Sequence, residues 1–135
     1  MQLSEFLIKN PVNNITAEVY VSNRFVDENG KKLPFTIKAM SGEAYASYRK
    51  EALKVTSKGA DFDTKRFNEL IVINNTLNPD FRNAEAIKAA GCVTPVQFMY
   101  RSLLAGEIDA LAAKISELSG FNTTVEEAKE EVKNS

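Results

Sequence analysis

Apolar side chains recur at every second position over residues 15–21 and again over 33–39, and from Ser41 onward they recur every third or fourth. A period of two lines one face of a β-strand, and a period near 3.6 lines one face of an α-helix. The change of period therefore divides the chain into a β part and a longer helical part. In the first, Ile15, Ala17, Val19 and Val21 share a face, while Thr16, Glu18, Tyr20 and Ser22 share the other. Leu33, Phe35, Ile37 and Ala39 repeat the alternation, with Thr36 and Lys38 on the polar side. Between the two runs, Asp27-Glu-Asn-Gly30 reads as a turn in which Asn29-Gly30 supplies positive φ angles. The strands form a hairpin over about residues 15–40. A two-stranded hairpin is marginal alone, so either its apolar face lies on the chain's own helices or its open edge is extended by another chain.

A short helical pattern of Leu3, Phe6 and Leu7, with Ser4 as N-cap, precedes the hairpin and stops at Asn10-Pro11, because the residue before a proline is held out of the α region. Helices are then expected over about residues 41–120. Ser41 opens one that carries Tyr45, Tyr48 and Ala52 and ends before Gly59. Asp61 or Asp63 caps a second, with Phe67, Leu70, Ile71 and Asn74 on one face, which stops near Leu77-Asn78-Pro79. A third, around Ala84–Ala90, is closed by Gly91 in a left-handed conformation. Thr94-Pro95-Val96-Gln97 is the strongest start signal: a cap, a proline where no N–H is missed, and the far half of a capping box. Val96, Met99 and Leu103 form the buried stripe of that helix. Gly106 interrupts it, Ile108, Leu111, Ile115 and Leu118 form the next stripe, and Gly120 ends it.

The expected fold class is α+β, mainly helical: an N-terminal β-hairpin packed on a bundle of about five helices. Residues 1–121 make a single domain, and 122–135 a charged C-terminal helix or tail opened by a second capping box at Thr124 and Glu127. At 135 residues the chain buries roughly two-thirds of its unfolded surface. An apolar share of 44% is too high for a disordered chain. No run approaches the roughly 20 apolar residues that span a bilayer, which argues against a membrane protein. The start, MQLSEFLIKN, has neither the basic nor the apolar region of a secretory signal. With 17 basic residues against 18 acidic ones, a broad electrostatic grip on nucleic acid is not expected.

Chemistry is narrowed most by the absence of histidine. Imidazole-based triads, acid–base sites and His-ligated zinc are excluded. The lone Cys92 makes neither an internal disulfide nor a thiolate cluster; it fits a reducing compartment and reads as a small packed hydrophobe. The acidic pairs Asp61/Asp63 and Glu126/Glu127 stand at helix starts, where the macrodipole favours them without any metal, and Glu130/Glu131 lie on the charged tail. A calcium loop counted from Asp27 would need a glutamate where Lys38 stands. Glycines fall singly at 30, 42, 59, 91, 106 and 120, so no phosphate-cradling loop is formed. Lys31-Lys32, Arg49-Lys50 and Lys65-Arg66 read as solvated surface charge. No catalytic residue, cofactor or metal is expected. Tyr45, Tyr48, Phe62, Phe67, Phe98 and Tyr100 read as core, or as lining for a groove that takes a partner helix.

Three stretches, taken in order, resemble one family. They are Val19-Tyr-Val-Ser-Asn-Arg-Phe-Val-Asp-Glu-Asn-Gly30 with Leu33–Met40; Leu77-Asn-Pro-Asp80 with Asn83-Ala-Glu85 and Gly91; and Leu103-Leu-Ala-Gly-Glu107 running to Ile115-Ser-Glu-Leu-Ser-Gly-Phe121. Their order and spacing are similar to those of the XkdN-like tail assembly chaperones from phages and prophages of Gram-positive bacteria. The resemblance implies a non-enzymatic protein that binds the tape measure protein and keeps it soluble until the tail tube polymerises. It implies action in the cytoplasm of the bacterial host and absence from the mature virion. A longer form made by ribosomal frameshift, forking near residues 123–135, would engage the tail tube protein. Self-association stays open through the hairpin edge, and a structural adaptor retained in the particle is the alternative role. Partner-contact candidates are Tyr45, Tyr48, Phe98, Met99, Leu103, Ile108 and Leu111, each of which reads first as core and only second as interface. Gly106 and Glu107 match the family pattern and set the bend between two helices.

Overall fold

The computed structural model describes residues 1–121; the Thr124 capping box and the charged tail lie outside them. Helix α1 (Leu3–Lys9) and a short 3-10 turn lead into strand β1 (Thr16–Val19), which pairs antiparallel with β2 (Phe35–Lys38), placing Thr16 opposite Lys38 and Val19 opposite Phe35. Phe35 and Ile37 point into the core, as their alternation requires. Gln2, not Ser4, precedes α1, and it makes no side-chain cap; Asn10 ends the helix as expected.

The hairpin departs from its expected form in two ways. Regular pairing stops at Val19, and residues 20–34 form a long connection whose tip is pinned by Asp27, with Oδ1 accepting from the backbone N–H groups of Asn29 and Lys31. Only Gly30 takes a positive φ, 79°, there; Asn29 does not. The strands part because the connection is pulled onto the helices: Phe25 packs on Phe35 with ring centroids 5.0 Å apart, and Arg24 reaches the helical region. The second departure concerns the edge. A third strand, β5 (Thr76–Asn78), pairs with β2 and gives the order β1-β2-β5, so one side of the hairpin is closed by the chain itself.

Helix α2 (Gly42–Ala52) starts at Ser41, whose hydroxyl accepts the Ala44 N–H. It does not run on toward Gly59. Leu53–Thr56 (β3) and Gly59–Phe62 (β4) instead form a second antiparallel hairpin. Asp63 then caps α3 (Thr64–Asn75) by accepting from the Arg66 N–H. Leu70, Ile71, Val72 and Ile73 are all buried, more than the single apolar face expected. A helix apolar on consecutive positions is an interior helix, and α3 packs against α2, α5 and α6.

Helix α4 (Ala84–Ala89) is capped by Asn83 and followed by Gly91 at φ 73°. Thr94 caps α5 (Pro95–Ser102), and the Gln97 side chain returns to the N–H of Val93. The break before α6 (Ala105–Ser116) falls at the extended pair Leu103-Leu104; Gly106 lies inside the helix. Gly120, at φ 98°, turns the chain after α6. The core gathers Phe35, Ile37, Ile71, Val72, Phe81, Met99, Leu111 and Ile115 between the sheet and the helices. At the far end, Ser119 Oγ accepts the Met40 N–H at 2.8 Å and donates to the Ile115 carbonyl, fixing the end of α6 to the end of β2.

Candidate partner-binding surface

The strongest polar groups hold elements of the chain to one another. Arg24 donates from Nε and Nη2 to the two carboxylate oxygens of Glu107, both at 2.7 Å, and from Nη2 to the Ser102 carbonyl at the end of α5. Glu107 in turn accepts the Leu104 N–H at 2.7 Å. One bidentate pair thus closes the end of α5, opens α6 and anchors the long hairpin connection. The Arg24 guanidinium holds the Glu107 carboxyl well down, at about 2, against the opposing effect of burial. The bend expected at Gly106-Glu107 falls instead at Leu103-Leu104, where Glu107 closes it from inside α6, and the pair makes two of the three family-like stretches touch.

A second cluster joins α3 to α5. The Tyr100 hydroxyl donates to Glu69 Oε2 at 2.7 Å, and Lys65 and Arg66 flank the same buried carboxylate. Burial, then the Glu69 carboxylate, pushes the Tyr100 phenol up to about 12. Asp63 is held below the usual carboxylate range, chiefly by the Arg66 N–H it caps. Among the described residues no group of three His, Cys, Asp or Glu is placed to hold a metal ion.

The seven contact candidates do not form one surface. Met99, Leu103, Ile108 and Leu111 are buried, facing the interior between α3, α5 and α6. Phe98 is half-buried, its ring 5.6 Å from the fully buried Phe81. Tyr48 is half-buried, accepts from Asn75 Nδ2 at 3.2 Å and borders a cleft beneath residues 11–13. Tyr45 is half-buried, and alone of the seven it packs on both Phe67 and Phe121.

Exposed apolar chemistry lies elsewhere, above all on α1. Leu3, Phe6, Leu7 and Ile8 are 72, 50, 62 and 80% exposed, and the helix contains no buried residue. Leu3, Phe6 and Leu7 share a face. A seven-residue helix has little stability of its own in water, and this one leaves its apolar face exposed. Sequence reasoning registered the pattern but not its exposure; burial is decided by which helices the interior has room for.

These features define a small, mainly helical α+β protein whose polar clusters are structural and whose uncovered chemistry is apolar. Residues 3–133 match the family described as phage XkdN-like tail assembly chaperone protein, TAC. The chain is 32% identical to the phage-like element PBSX protein XkdN of Bacillus subtilis (strain 168), over 98% of this chain and 93% of that one. It is 30% identical to the uncharacterized protein YqbN of the same strain, over the same shares. A crystal structure of YqbN superposes with a TM-score of 0.71 at 29% identity, covering 89% of this chain and 97% of that one. The chain belongs to the XkdN-like phage tail assembly chaperone family, a family of chaperones and not of enzymes.

Proposed function

We propose that this chaperone binds the tape measure protein of its phage or prophage and keeps it soluble until tail tube subunits polymerise around it. The observation that carries this reading is α1, whose apolar face is open to solvent along its whole length. A long helical ligand presents apolar seams of the same kind, and covering them removes surface from water at roughly 25 cal/mol per Å². The contact is small, so single contacts are weak and several copies along one ligand act together. Weak contacts suit a chaperone that tube subunits must displace. In this reading the protein acts in the host cytoplasm and is absent from the finished particle, and the tail tube protein is met only through a longer, frameshifted product.

The test is co-expression with the tape measure protein of the same gene cluster, followed by affinity capture and size-exclusion chromatography. The parent chain renders the tape measure protein soluble and co-elutes with it. Leu3→Asp/Leu7→Asp keeps the circular dichroism and melting behaviour of the parent but loses the complex. A tape measure protein that stays insoluble beside the parent chain would refute the reading, and an unimpaired double variant would move the contact away from α1. Mass spectrometry of purified particles separates the chaperone, which is missing from them, from a retained adaptor.

A further inference from the structure

The β1-β2-β5 sheet has two edges, and they are built differently. At one, β5 is three residues long and runs straight into Pro79; a short strand ending in proline blunts pairing with another chain. At the other, β1 has neither device, and among the described residues it pairs with β2 alone. The Ala39 N–H donates to the Ile15 carbonyl at 2.8 Å, so the backbone groups of residues 15, 17 and 19 face β2. Those of Thr16 and Glu18 face outward from the open edge, because the direction alternates along a strand. The side chains separate as well: Ala17 and Val19 are half-buried on the inner face, and Thr16 and Glu18 are exposed on the other. A groove runs beside Ala17, Val19 and Ile37, walled by Lys114, Glu117 and Leu118 at the end of α6. Lys114 and Glu117 form no ion pair among the described residues.

We propose that this edge pairs with the β1 edge of a second copy of the chain, antiparallel about a two-fold axis through Ala17, joining the two sheets into one. Register and charge select that occupant. An axis through Glu18 would set this carboxylate against its own copy, and like charges directly opposite repel. An axis through Thr16 would set Val19 against Asn13. Centred on Ala17, the pair sets Thr16 against the second copy's Glu18, and the exposed Ile15 against its Val19. Polar then meets polar on one face, and apolar meets apolar on the other. Thr16 and the Glu18 opposite it exchange both backbone hydrogen bonds on each side of the axis, satisfying the groups that face outward. The two grooves adjoin across the axis, where Lys114 of each copy answers Glu117 of the other. Such self-complementarity is what an isologous contact requires. The contact uses no residue of α1, and the inference stands whatever partner α1 takes.

Sedimentation velocity on the full chain over a concentration series tests it. The parent should pass from monomer to dimer, and Glu18→Pro should weaken the dimer at least about tenfold. Proline there removes an outward N–H and leaves the bonds to β2 in place, so the dilute variant should keep the circular dichroism of the parent. Lys114→Glu should also weaken the dimer, and adding Glu117→Lys should restore it. Ala17→Cys in a Cys92→Ala background checks the register. Facing Cα atoms of a pair without hydrogen bonds lie about 4.5 Å apart, within disulfide reach, so mild oxidation should cross-link this variant far faster than Glu18→Cys in the same background. A parent that stays monomeric up to about 1 mM overturns the inference. A dimer that Glu18→Pro leaves intact, or that cross-links through Glu18→Cys in preference to Ala17→Cys, overturns it as well.

Discussion

Arg24 and Glu107 stand 83 positions apart in the chain and meet through two hydrogen bonds of 2.7 Å. Because the folded Glu107 carboxyl is held at about 2, below its ordinary 4.5, the pair contributes stability that is complete above the ordinary value and is lost as pH falls toward 2. The melting temperature of the parent should therefore fall more steeply between pH 4.5 and 2 than that of Glu107→Gln, as followed by scanning calorimetry. At neutral pH the variant should melt several degrees lower, since the Leu104 N–H and the Arg24 guanidinium both lose a charged acceptor. Equal pH slopes in the two proteins would mean the pair contributes nothing. The family-like stretches contain both residues, yet nothing local in either stretch names the other as its partner. Burial at the α5–α6 junction makes that match.

The β3–β4 hairpin shows at the scale of an element how a readable signal can be overruled. The alternation Leu53, Val55 against Lys54, Thr56, followed by Gly59, is strand-like, but it directly continues the helical pattern that Ser41 opens, and four residues of alternation are too few to mark the change of period. Gly59 sits at φ 126° with no atom within 4 Å of an added Cβ, so an alanine there meets a conformational penalty, not a clash. Gly59→Ala should strain the hairpin by roughly 1–3 kcal/mol. Faster amide exchange across residues 53–62 with little change in global melting is the expected result, because the eight hairpin residues are exposed and lie off the core. A matching fall in global stability would show instead that the hairpin unfolds with the domain.

For the whole molecule, the interior is one cluster that joins β2 to α3, α5 and α6. Its ends are cross-tied by Arg24–Glu107 and by Ser119 with Met40, which makes a single cooperative unit the expectation. Leu111 is fully buried in α6. Leu111→Ala should cost about 2–5 kcal/mol in urea denaturation, and Leu111→Asp should abolish the fold, because no partner awaits a charge there. A folded Leu111→Asp protein would contradict the placement of this stripe in the interior.

What the sequence by itself determined is local: the faces of β1 and β2, the turn at Asp27–Gly30, the starts of α2 and α5 at Ser41 and Thr94, and the start of α3 to within Asp61 or Asp63. Each is set by a side chain acting on backbone within four residues, or by a period that any single strand or helix displays. The tertiary structure alone decided that β5 returns to β2, that α3 is enclosed while α1 stays exposed, and that Arg24 meets Glu107 across the α5–α6 junction. Those outcomes follow from competition among many apolar stripes for one interior. The free energy that settles such a competition belongs to contacts between residues far apart in the chain, which no local pattern encodes.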